Sequence, residues 1–130
     1  MGPIACTLAT LALLGCAGLP TAAPREGSRA LPTARLGERI HVDGPQVTPL
    51  EVLEDSRCPA GVSCVWAGRV RLRVTVHLGA GDVTRELILG EPVQVADGAL
   101  ELVEVRPAPT VAGAIAPGDY RFTFRFDGGL

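Results

Sequence analysis

Val70, Leu72, Val74, Val76 and Leu78 alternate without a break with Arg69, Arg71, Arg73, Thr75 and His77. No other pattern in the chain restricts the fold as much. Successive side chains on a strand point to opposite faces, so this run is a strand with one buried and one wet face. The segments around it carry strand signals as well. Glu38–Val42 is a short strand stopped by the turn Asp43-Gly44-Pro45. Val47–Glu54 is a second, with Pro49 demoting part of it to an edge or a bulge. After the long alternating run, Gly79-Ala80-Gly81-Asp82 turns the chain and Val83–Leu89 returns. The pair reads as a hairpin with a four-residue loop. Pro92–Ala96 and Ala99–Arg106 follow around Asp97-Gly98, with Leu100, Leu102 or Val103, and Val105 as core candidates. Residues 107–118 are rich in Pro, Ala and Gly and read as a surface loop. Tyr120, Phe122, Phe124 and Phe126 then alternate with Arg121, Thr123 and Arg125. An aromatic stripe at period two is a core face, and its apolar area places this last strand centrally. About seven strands at regular turn spacing, without a helix, predict an all-β fold: an antiparallel sandwich or a small barrel. Residues 36–130 form this β-domain, enough chain for one modest core.

Cys58 and Cys64 enclose Pro59-Ala60-Gly61-Val62-Ser63. Pro59 fixes one backbone angle and Gly61 permits a left-handed one, so the segment can turn back on itself and bring the sulfurs together. In an oxidising compartment the pair forms a disulfide, worth roughly 2 kcal/mol for so short a loop. Zinc would need two more ligands, and only His41 and His77 are available. The spacing also exceeds the two to four residues usual for a zinc-binding pair. A redox dithiol normally has two residues between its cysteines.

Asp55-Ser56-Arg57-Cys58-Pro59, four further residues, and Cys64-Val65-Trp66-Ala67-Gly68 resemble the signature of a small family of bacterial secreted and lipoprotein domains, DSRCP-x-x-x-x-C-x-W-x-G followed by an alternating strand. The resemblance extends loosely to the aromatic strand and covers roughly residues 36–127. It implies a fold and a compartment, and no reaction.

Residues 1–15, MGPIACTLATLALLG, are apolar and too short to span a bilayer as a helix. They read as a lipoprotein signal peptide. Leu13-Leu14-Gly15-Cys16 resembles a lipobox, with cleavage leaving Cys16 as the lipidated N-terminus. Ala17, where an Asp would be the retention signal, points to the outer membrane, with the domain facing the periplasm. Cys6 leaves with the signal, so the mature chain has one lipidated cysteine and one pair. Several acyl chains at roughly 0.8 kcal/mol per buried methylene anchor firmly. Residues 16–35 read as a flexible linker, rich in Pro, Ala, Gly and Thr.

A net charge of -2 gives no pull toward nucleic acid. No nucleophile motif, phosphate loop or spaced calcium-ligand run occurs, and no cofactor is implied. His41 and His77 stand alone on strands, with His77 expected on the exposed face. Glu54-Asp55 is expected to pair with Arg57 or cap a turn. Arg69, Arg71 and Arg73 form a row with about 7 Å spacing. With Arg57 and Trp66 near its start, the row is a candidate interaction site for an anionic glycan, lipopolysaccharide or a partner protein. Its bland counterpart is neutralisation by cross-strand Glu86, Glu101 or Glu104. Trp66 is expected to plug the core against the disulfide. The reading that follows is a non-catalytic envelope lipoprotein, structural or binding. A protease-inhibitor-like module presenting the Cys58–Cys64 loop is the alternative. An enzyme is the third class, and it would need a pocket joining a histidine to a carboxylate.

Overall fold

The alternating segments assemble into two four-stranded antiparallel sheets. The computed structural model describes residues 30–128, together with the isolated glycines Gly2, Gly15 and Gly18. Cys6, Cys16 and the rest of the stretch read as signal and linker up to residue 29 lie outside the described residues. The strands are β1 (Thr33–Ala34), β2 (Ile40–His41), β3 (Gln46–Asp55), β4 (Val70–Leu78), β5 (Gly81–Ile88), β6 (Val93–Val95), β7 (Gly98–Arg106) and β8 (Arg121–Gly128). One sheet has the order β1-β8-β7-β6 and the other β2-β3-β4-β5. A 3-10 turn, Pro117–Asp119, precedes β8.

The inward faces of both sheets meet in one core. Val47 of β3, Val70, Leu72, Val74 and Val76 of β4 and Leu87 of β5 come from one sheet. Leu100, Leu102 and Val105 of β7 and Phe122, Phe124 and Phe126 of β8 come from the other. This is a sandwich rather than a barrel. The aromatic strand is interior, flanked by β1 and β7, as its apolar stripe requires. β1 falls within the stretch read as linker: Ala34 is buried opposite Phe122, so the domain begins upstream of residue 36. A two-residue strand carries too little periodicity to be seen in sequence. The β4–β5 hairpin is also tighter than its glycines suggested. Leu78 pairs directly with Gly81, leaving only Gly79-Ala80 outside the ladder.

Bulges set which side chains face where. β3 has register shifts between Pro49 and Glu51 and between Val52 and Glu54. Each bulge inverts the alternation beyond it. Glu51 and Glu54 are an odd number of residues apart, yet they pair with Arg73 and Arg71 on the outer face. The second bulge also returns Asp55 to the partner position of the inward-facing Val70. In β7 a shift between Leu102 and Glu104 leaves Val103 as the extra residue and keeps Val105 in the core.

Candidate functional site

The connection from β3 to β4 carries the signature residues, and nearly every one of them has a bond in the fold. Asp55 ends β3 pointing between the sheets. Its carboxylate takes two hydrogen bonds from the Arg57 guanidinium, Nε to Oδ1 and Nη2 to Oδ2, both 2.9 Å. Oδ2 also accepts from the Tyr120 hydroxyl at 2.8 Å. Arg57 then donates to the carbonyls of Val105 (2.8 Å) and Pro107 (3.1 Å) at the end of β7. Three side chains thus clasp the open end of the sandwich, linking one sheet to the other.

The clasp is largely dry, with Arg57 and Asp55 side chains 14% and 12% exposed. Arg57 holds the Asp55 carboxyl below its ordinary value by this hydrogen bond, against the opposing effect of burial. The same bond raises Arg57. Burial first, then the bond to Asp55, pushes Tyr120 up to about 12. Tyr120 also stacks on Phe122, with ring centroids 5.5 Å apart, so the clasp is continuous with the core. The pairing of Asp55 with Arg57 was legible from sequence. Tyr120 and the two carbonyl acceptors were not, because they lie far along the chain and their residue types carry no signal.

The remaining signature residues fasten the loop to itself. Cys58 and Cys64 are at bonding distance, with Cα atoms 5.9 Å apart. Gly61 takes φ +80, and the Val62 N–H bonds the Pro59 carbonyl at 3.3 Å, the turn that Pro and Gly were expected to make. Ser56 and Arg69 bond back to back: the Ser56 N–H donates to the Arg69 carbonyl (2.9 Å), and the Arg69 N–H donates to Ser56 Oγ (3.0 Å). Gly68 passes so close that a Cβ there would sit 2.0 Å from the Ser56 carbonyl oxygen. Only glycine fits.

Trp66 departs from expectation. It is 59% exposed and does not plug the core. Its indole N–H donates to the Ser56 carbonyl at 3.2 Å, which fixes the ring against the loop instead of under it. The core has no vacancy for an indole, because Phe122 and Phe124 fill its middle and Tyr120 closes the end. Val65 beside it is 98% exposed, and Ala60, Gly61, Val62 and Ser63 are exposed too. Beneath the loop, Asp55, Arg57 and Tyr120 floor a hollow of about 250 Å³ walled by Pro59 and the Pro109–Ile115 segment.

The arginine row lies on the outer face of the β2–β5 sheet, each member held by a carboxylate. Arg69 pairs with Glu54, Arg71 with Glu86 and Arg73 with Glu51. Of the expected neutralising partners, only Glu86 serves. Glu101 and Glu104 lie on the other sheet and hold Arg125 and Arg106. The bulges in β3, invisible in the alternation, supply Glu51 and Glu54 instead. Arg71 in turn depresses Glu86.

His77 is less exposed than expected. Its Nδ1 lies 2.9 Å from Asp82 Oδ1 and its Nε2 lies 2.8 Å from the Thr48 hydroxyl, both at hydrogen-bonding distance, a polar line across three strands. His41 and Asp43 line a separate hollow of about 460 Å³ with Ala30, Leu31 and Pro32. Among the described residues no cluster of His, Cys, Asp and Glu could hold a metal, and no helix is long and apolar enough to cross a membrane.

The fold and site together define a disulfide-braced antiparallel β-sandwich with a clasped loop at one end. No protein-family model, no curated protein and no solved structure matches this chain.

Proposed function

We propose that this chain is a non-catalytic lipoprotein of the bacterial cell envelope that works as a binding module through its clasped loop. Cys16 carries the lipid, residues 17–29 form the tether, and the sandwich stands on the periplasmic side of the outer membrane. The DSRCP-x-x-x-x-C-x-W-x-G resemblance points to the same compartment. One observation carries the reading: the ionisable groups of the signature are consumed in holding the loop, while the tip they hold is apolar and exposed. A catalytic site uses such groups on a substrate; a binding site uses them to pre-organise a surface. Mass spectrometry of the mature N-terminus tests the anchor. A lipidated Cys16 is expected, and Cys16→Ser should release the protein from membranes. An unmodified mature chain starting elsewhere would contradict it.

A protease-inhibitor-like role is the second reading, favoured by the protruding Ala60–Ser63 segment. It requires that a protease be blocked by the oxidised protein and spared once Cys58–Cys64 is reduced. An anionic partner for Arg69, Arg71 and Arg73 would have to displace Glu54, Glu86 and Glu51, which weighs against the row as the working surface. A hydrolytic reading rests on the Thr48–His77–Asp82 line alone. Ester hydrolysis abolished by His77→Ala would support it.

A further inference from the structure

We propose that the loop end centred on Trp66 seats in the headgroup region of a lipid bilayer. This deepens the envelope-lipoprotein reading and rests on it only for the tether. Two connections leave the sandwich together here, between β3 and β4 and between β7 and β8, and residues 58–68 and 107–118 are their outer stretches. Neither contains an Asp, Glu, Arg, Lys or His, although 20% of the chain is charged. They are fastened to each other. The Ala60 N–H meets the Pro109 carbonyl at 3.4 Å, and Arg57 bonds the Val105 and Pro107 carbonyls. Val62, Val65 and Trp66 on one loop and Val111 on the other are exposed. Isolated apolar residues are ordinary on a surface, but two adjoining loops free of charge are not.

The charges resume at the loop bases, where the arginines are already engaged and Asp119 stands exposed beside the second loop. Arg57 holds Asp55, Arg69 holds Glu54, Arg106 holds Glu104, and Arg121 bonds the Gly118 and Tyr120 carbonyls. A protein interface surrounds its apolar centre with polar groups free to pair across the boundary. Here the rim arginines are internally satisfied and Asp119 stands exposed beside them, which suits a partner that asks mainly for apolar contact. A bilayer interface does so, and it favours tryptophan, whose flat amphipathic ring sits at headgroup depth. The Trp66 N–H brings its own acceptor in Ser56. The paired arginines and the exposed Asp119 leave no demand for anionic lipid. From a lipidated Cys16, residues 17–30 reach at most roughly 45–50 Å when extended. A nine-residue strand such as β4 spans roughly 30 Å, so the tether allows the loop end to face the membrane that holds it.

Trp66 is the only tryptophan, so its emission reports on the loop alone. The full chain, purified from bacterial membranes, is reconstituted into phosphatidylcholine vesicles with and without lipid brominated near the top of the acyl chain. The expected result is a shift of Trp66 emission to shorter wavelength and loss of most of it in brominated vesicles. Val65→Asp, at a position too exposed to disturb the core, should lower the seated fraction about tenfold or more, with circular dichroism unchanged. Unquenched Trp66 in the folded wild-type protein overturns the proposal. So does a Trp66 that lipid leaves untouched while intact envelopes shield it from acrylamide, which would mean a protein covers the loop. Mass spectrometry on the same sample separates the two readings. A lipidated Cys16 with unquenched Trp66 sinks the bilayer contact alone, and quenched Trp66 on an unmodified Cys16 sinks the anchor alone.

Discussion

Arg57→Ala removes the centre of the clasp and is the most informative single change. The wild-type side chain makes two bonds to Asp55 and one each to the Val105 and Pro107 carbonyls. Its loss leaves a carboxylate only 12% exposed with Tyr120 as its remaining side-chain donor. Removing one partner of a buried ion pair costs about 3–5 kcal/mol, because the other charge stays behind. Some water reaches this end of the sandwich, so the lower figure applies, about 3 kcal/mol. That is a large share of the roughly 5–10 kcal/mol that holds such a domain together. The melting temperature should fall by about 15 °C, at the 4–8 °C per kcal/mol typical of this size. Thermal unfolding followed by far-ultraviolet circular dichroism measures the shift, and urea unfolding measures the free energy. Arg57→Lys keeps the charge but loses the planar fork, and should recover less than half of the loss. A double-mutant cycle with Asp55→Asn should show a coupling of about 2 kcal/mol. If Arg57→Ala costs no more than about 0.5 kcal/mol, an ordinary surface value, the clasp does not hold the sheets together.

The clasp also sets the pH limits of stability. The depressed Asp55 contributes stability above its ordinary value, lost as pH falls through the folded one, and Asp55→Asn should remove that acid-side loss. Tyr120, raised from 10.0 to about 12, contributes fully below pH 10.0 and loses its contribution as pH rises toward about 12; Tyr120→Phe should abolish that alkaline dependence in urea titrations. Gly68→Ala drives a methyl into the Ser56 carbonyl and should cost about 3 kcal/mol, the upper end for overpacking, by the same unfolding assay. Reduction of Cys58–Cys64 should cost about 2 kcal/mol, and an unchanged melting temperature would remove the brace from the account. Val74→Asp should unfold the domain while Arg71→Ala leaves the melting temperature nearly unchanged, with the reverse ranking excluding the assigned faces.

Local patterns in the sequence were enough for the long strands, the buried face of Val70–Leu78, the aromatic core strand and the disulfide. These depend on side-chain alternation or on a short loop, both of which a sequence displays. What could not be read depends on register. Bulges at Leu50 and Leu53 in β3 decide that Glu51 and Glu54, and not Glu101 or Glu104, meet the arginine row. Bulges are single insertions that alternation alone cannot locate. Tyr120 joins Asp55 only because β8 and the end of β3 meet across the core. Trp66 was misplaced by analogy with sandwiches in which an indole covers a disulfide. Here three phenylalanines of β8 and Tyr120 just before it already fill that space, and the tryptophan is turned outward.

The central claim is that the clasp and the disulfide present Trp66 on a rigid, solvent-facing loop. The most direct measurement is nitrogen-15 relaxation of the backbone amides of residues 58–68 and of the Trp66 indole N–H. Order parameters of about 0.85, as in rigid backbone, are expected for both. Values below about 0.6 would mean a flexible loop and would contradict it.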